Sequence, residues 1–361
     1  MIRRCNWMYR WAVAIAMLSV MGLLSCSSAN GDAADLEPTV QRTGHLLPIQ
    51  YDEPLPRGDI RNIENCAEYP FEAPLRGAWN ELSNKKMSEQ ADPAHRSTDR
   101  VTAVGDAIHL GATMAYGEDP LASEWVRLFV GDCQGWSQIG VRKTDDDGQV
   151  AFQLDKRLSA GVYGVVFQAV GDSSFVRSQL WVVPRDTRVI GFDLDGAAFD
   201  VPEATDAMDS LTPVQGASPL TLWHANRGRL VVYVERSNDR GSGAVDLDQW
   251  RDHLRREGFA VGPVVDLGHT VEPQTSREHQ LQGRPGWGHA GSFSSPGPGI
   301  STALAKLYTA DSQAADTIRQ VGLQPEQTIL LRDLCAGSDG DECRTGWKEL
   351  LDTLDAADDG A

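Results

Sequence analysis

Residues Arg188–Gly196 read RVIGFDLDG. A continuous apolar run of this kind, closed by two acids and a glycine, is the pattern of a strand buried on both faces, and its carboxylates fall at the C-terminal end. Upstream, from about Val101 to Pro184, the period is different. VRLFV, VAFQL and VYGVVFQAV alternate with period two, and TDDDG, SAG and GDSS supply turn chemistry between them. That half predicts an Ig-like antiparallel β-sandwich over 98–185. Downstream, RLVVYV at Arg229–Val234 is a second buried strand, and Leu247, Trp250 and Leu254 fall at helical spacing before a stop at Gly258. Phe259–Leu267 predicts a third strand, Asp311–Val321 a helix, Thr328–Leu334 a further strand and Thr345–Ala356 a terminal helix. Strands alternating with helices predict an α/β domain with a mainly parallel sheet over 186–361. The chain is therefore expected to be multidomain.

The N-terminus reads as an address. Arg3, Arg4 and Arg10 precede the apolar run Trp11–Leu24, which is shorter than the roughly 20 residues a spanning helix requires. Leu23-Leu24-Ser25-Cys26 resembles a bacterial lipobox, which implies a lipoprotein signal peptide over 1–25 and lipidation of Cys26. The expected location is the bacterial cell envelope, exported and lipid-anchored to a membrane. Ser27 after the lipid cysteine favours the outer membrane where the organism has one. Residues 26–97 read as a tether with a poorly defined N-terminal segment. The net charge of −18 opposes nucleic-acid binding, so no nucleic-acid partner is expected.

Of six cysteines, Cys335 and Cys343 enclose a short loop and are the first choice for a disulfide in an oxidising compartment, with Cys66–Cys133 a second. Neither a CxxC nor an HxxxH occurs, so zinc has no closely spaced ligand pair. Asp145-Asp146-Asp147-Gly148 reads as a hairpin turn, because the alternate-position ligands of a calcium loop are not spaced that way. The GxGxxG at 286–291 lacks a preceding strand and reads as a loop.

VIGFDLDG resembles motif I of the haloacid dehalogenase (HAD) superfamily. The sandwich leading into it narrows the resemblance to the lipin-type phosphatidate phosphatase domain and its relatives in the Nir (retinal-degeneration-B) proteins. The resemblance spans roughly residues 98–335 and implies a HAD-like, Rossmannoid domain after the sandwich. It also implies phosphoryl transfer, with Asp193 as nucleophile and metal ligand and Asp195 as general acid/base. In the family pattern a phosphate-binding Thr or Ser falls on Glu235, the metal-completing aspartate on Ala314, and no lysine stands at the motif III position.

A carboxylate at 235 either repels phosphate, by some 4 kcal/mol at about 4 Å and an effective dielectric of 20, or joins Asp193 and Asp195 around a divalent cation. Asp316 is a substitute metal ligand if its loop shifts, and Gly196, Glu235 and Lys306 are the candidate ligand-binding residues. Two expectations follow. The first is a degenerate, lipin-like HAD domain, a pseudoenzyme that binds a phospholipid or a phosphorylated small molecule as an interaction module. The second is a Mg²⁺-dependent phosphatase acting on phosphatidate or another phosphomonoester, with Mg²⁺ as cofactor only in that case.

Overall fold

The computed structural model describes residues 60–61, 63–154, 157–200, 211–235, 247–266, 304–309 and 327–330, with single positions at 316, 325 and 350. Cys26, Ala314, Cys335, Cys343, the 286–291 loop and the helix expected over 345–356, apart from one helical residue at Leu350, lie outside the described residues. Among the described residues no helix is long and apolar enough to cross a membrane.

The sandwich is built from seven main strands. They are β1 (Arg100–Ala103), β2 (Ile108–Thr113), β3 (Trp125–Asp132), β4 (Gly135–Lys143), β5 (Gln149–Leu154), β6 (Gly161–Ala169) and β7 (Phe175–Val183). The larger sheet runs β1-β7-β6-β3-β4, antiparallel except for the β1–β7 pair. The smaller one sets β2 between β5 and Arg96–Ser97. Alternation decides which face meets which. Tyr163, Val165 and Phe167 of β6 join Ile108, Leu110, Val150 and Phe152 in the core between the two sheets. The acidic triplet is a turn, with Asp145 Oδ1 accepting from the Asp147 and Gln149 amides at 3.0 and 2.7 Å.

Residues 63–97, expected as part of the tether, are instead packed on the sandwich. Glu64–Asn65 pairs with the start of β6, and Cys66 is joined to Cys133 in a disulfide. The helix α1 (Leu82–Ser88) is held through Asn84, whose amide nitrogen donates to the fully buried Glu124 at 3.0 Å. Local sequence concealed this docking because its anchors, the disulfide, the Asn84–Glu124 bond and the packing of Phe71 and Trp79 on the sandwich, all reach residues far along the chain.

The α/β half contains β8 (Val189–Asp193), α2 (Ala217–Asn226), β9 (Leu230–Glu235), α3 (Leu247–Arg256), β10 (Val264–Asp266), β11 (Leu304–Thr309) and β12 (Gln327–Leu330). All five strands are parallel, in the order β10-β9-β8-β11-β12. The third strand is shorter than expected because Pro263, which has no N–H to donate, precedes its ladder. Its flank Phe259–Ala260 packs into the core with Trp250 and Leu254 of α3 and Leu220 of α2.

The second face of the parallel sheet is covered by the sandwich. Val189, Leu230, Val232, Val234, Val265 and Leu307 pack with Val101, Val162, Trp181 and Val183 of the larger sandwich sheet. β6 and β9 are thus apolar on both faces, which explains their unbroken hydrophobic runs. The open edge at β10 is closed by side chains from the linker before β1. Asp99 Oδ2 accepts from the Val264 amide at 2.8 Å, and Thr98 Oγ1 accepts from the Asp266 amide at 2.8 Å. Asp99 also accepts from the Gln179 amide and from Arg251 of α3. Burial pushes its carboxyl up, and Arg251 and the two amides pull it back.

Candidate functional site

The order of the parallel strands locates the site before any side chain is considered. From β8 the chain moves to β9 and β10 on one side, and β11 and β12 lie on the other. The order therefore reverses between β8 and β11, and ligands of such sheets bind in the crevice beyond the strand ends at that point. Asp193 closes β8 and Thr309 closes β11.

The two end residues engage each other. Thr309 Oγ1 donates to Asp193 Oδ2 at 2.9 Å, and the Asp195 amide donates to Asp193 Oδ1 at 3.2 Å. Asp193 and Thr309 are both 0% exposed. The chain then turns sharply. The Ala198 amide donates to the Asp193 carbonyl at 3.0 Å and the Gly196 amide to that of Phe199 at 2.7 Å. Gly196 sits at φ +85°, a left-handed conformation that explains glycine after the second acid. Asp195 is half-buried on this turn.

Glu235 ends β9, buried, in register with Asp266 at the end of β10, so acids close three neighbouring strands. Lys306 is placed elsewhere. It pairs with Ile190, three residues before Asp193 along the strand, and its charge is felt at His224. Asp316 is an exposed helical residue.

A Mg²⁺ ion needs oxygen ligands converging in near-octahedral geometry. Among the described residues, the only three His, Cys, Asp or Glu side chains whose ligand atoms lie within 4.8 Å of one another are Glu64, Cys66 and Cys133, and the last two form the disulfide. Asp193, Asp195 and Glu235 do not converge in this way, and each Asp193 carboxylate oxygen accepts one protein hydrogen bond. Among the described residues, no three carboxylates converge on one ion position.

Two further polar clusters were not foreseen from sequence. Behind the strand ends, Arg229 Nη1 donates to His224 Nδ1 at 3.0 Å, so the neutral ring carries its proton on Nε2 and donates to Tyr308 Oη at 3.0 Å. Burial first, and the cations Arg229, Lys306 and Arg227 after it, lower the His224 pKa to about 3.

In the sandwich, His95 Nε2 lies 2.7 Å from Ser174 Oγ, which in turn donates to Asp172 Oδ1 at 2.7 Å. This looks like a nucleophile set, but the tautomer runs the wrong way. The Ala115 amide donates to His95 Nδ1 at 3.1 Å, so Nε2 holds the proton and gives it to serine instead of taking one. The cluster, with Tyr116 donating to Asp172, pins the 92–96 segment to the 172–174 turn.

Residues 93–182 match the family model described as the PITM 1-3 β-sandwich domain. The sandwich resemblance is thereby supported, over one part of the chain. None of the curated proteins matches. Among solved structures, a β-glucosidase from Listeria innocua in complex with glucose is 13% identical over 26% of this chain and 17% of its own, with a TM-score of 0.19. The alkylpurine DNA glycosylase AlkC from Pseudomonas fluorescens, bound to DNA containing an abasic site analog, is 12% identical over 27% of this chain and 33% of its own, at 0.16. The chain thus spans a small part of either protein's length, and similarity at this level carries no argument about activity.

Proposed function

We propose that the chain is an exported, lipid-anchored binding or interaction module of the cell envelope, in which a degenerate HAD-like domain is docked on a β-sandwich and hydrolyses phosphomonoesters poorly or not at all. The observation that supports this reading best is the state of Asp193. A nucleophile must be reachable by an incoming phosphorus, whereas this carboxylate is 0% exposed and held by a hydrogen bond at each oxygen. Glu235 adds a second buried carboxylate at the neighbouring strand end, where a phosphate dianion would be opposed by like charge.

The second reading, phosphatase action with Asp193 attacking and Asp195 protonating the leaving oxygen, is favoured by one observation: both aspartates stand at the reversal point of the sheet. The deciding experiment is phosphate release from a generic phosphomonoester and from phosphatidate, with and without Mg²⁺, by the full chain and its Asp193→Asn variant. Equal, background-level release by both folded proteins supports the binding module. Mg²⁺-dependent release abolished by the substitution establishes the phosphatase.

A further inference from the structure

Apart from the strand ends, and sharing no residue with them, a cleft of about 310 Å³ opens between the outer face of the sandwich sheet and the polar face of α3. One wall is preformed. The Trp136 ring lies flat on the sheet because Gly131 and Gly164 leave room for it; a Cβ on Gly164 would sit 2.5 Å from the ring. Its indole N–H donates to the Pro70 carbonyl at 2.8 Å, and Phe71 packs edge-on at 4.9 Å. An aromatic side chain held this firmly offers a contact surface with little entropy left to lose.

Charge in the cleft is arranged by depth. α3 turns Leu247, Trp250 and Leu254 to the core, so Asp248, Arg251, Asp252 and Arg255 face the cleft. Arg251, with its side chain 10% exposed, is paired to Asp99 and Asp248. Arg255 is paired at the rim to Glu68 at 3.1 Å and Asp252 at 2.9 Å, and those two carboxylate side chains are 71% and 68% exposed.

Arg177 differs from both arginines. Its guanidinium lies 5.5 and 5.9 Å from the Phe175 and Phe71 ring centroids, and it has no ion pair among the described residues. Its Nε is buried without an acceptor, and so is that of Arg251. A buried donor left unsatisfied costs about 1–3 kcal/mol, and this chain has acids to spare. Gln179, two residues along the same strand, points to the same side.

We propose that the cleft binds a small zwitterion of the phosphoethanolamine type. Its phosphate ester sits on Arg177 with Gln179 beside it, its two carbons lie against Trp136, and its ammonium reaches Glu68 and Asp252. A tetrahedral group with several oxygens suits donors converging from two side chains, and Glu68 and Asp252, which share Arg255, leave one net negative charge at the mouth that favours an ammonium over a bare dianion. The same chemistry is found in the free ester and in the headgroup of phosphatidylethanolamine.

The test is calorimetric titration of the full-length chain with O-phosphoethanolamine and with inorganic phosphate. Co-sedimentation with phosphatidylcholine vesicles, with and without phosphatidylethanolamine, separates the lipid source from the free one. Binding of the ester or of the ethanolamine vesicles, weakened about tenfold by Arg177→Gln, is the expected result. The double variant Glu68→Gln/Asp252→Asn alters only exposed side chains, so it keeps the fold, and it should weaken binding of the ester but not of phosphate. Absence of binding from both sources, equal affinity for inorganic phosphate, or affinity unchanged in the folded variants overturns the proposal.

Discussion

His224 and His95 are both kept neutral in the folded chain, and this gives the protein a predictable acid response. Burial is the main cause at each, lowering their pKa values to about 3 and about 4 from the ordinary 6.5. Above pH 6.5 folded and unfolded forms bind the same number of protons at these sites. Below it the unfolded chain takes up protons that the folded one refuses, so stability falls as pH drops from 6.5 toward 4, by up to about 1.4 kcal/mol per pH unit for each ring. Urea midpoints at pH 7 and pH 5 should therefore differ, and His224→Gln should reduce the difference. Thr309→Val is a second test at this scale. It removes a donor from the enclosed Asp193 carboxylate and should cost about 1–3 kcal/mol in thermal or urea unfolding. Asp193 and Asp195 were legible as strand-end acids from DLDG alone. Thr309 was not, because its role comes from a strand 116 residues away.

Among the elements, β8, β9 and α3 were visible in the sequence because each carries an undiluted pattern. Two others were not. α2 buries Ala217, Leu220, Thr221 and His224 at helical spacing, but two of those four are polar and Pro219 stands in its first turn, so no apolar stripe appears. β11 reads LAKLYT, with Lys306 interrupting the apolar run. The Asp99 node ties three elements at once, since one carboxylate serves β7, β10 and α3 together. Asp99→Ala strips Arg251 of its buried partner and leaves two amides without an acceptor. It should cost about 3–5 kcal/mol, measured by chemical unfolding. Arg255→Ala, at an exposed pair, should cost less than about 1 kcal/mol in the same assay.

For the molecule as a whole, the disulfide and the sheet-on-sheet contact decide what holds together. Cys66 and Cys133 are separated by 67 residues, so nothing in local spacing marks them as partners; the short 335–343 loop is the more conspicuous pair in sequence and lies outside the described residues. A cross-link closing a loop of that length is worth about 4 kcal/mol in the chain-entropy model. The double variant Cys66→Ser/Cys133→Ser should lose stability of that order, and the wild type should respond to reductant in the same way. The packing of one sheet face on another was equally illegible, since a strand apolar on both sides does not say what lies against either.

The stretch that carries the family likeness ends at Val182, inside β7, yet the sheet to which β7 belongs still has its apolar outer face to cover at that point. During synthesis the ribosome releases this sheet well before β9 and β10, so Val162 and Trp181 wait in water, and the Asp99 carboxylate waits for an arginine 152 positions further on. A gene cut at the edge of the recognisable module would leave that waiting state permanent. Sequence likeness and packing therefore draw different borders on this chain, because the matched stretch stops before the strands that cover its outer face.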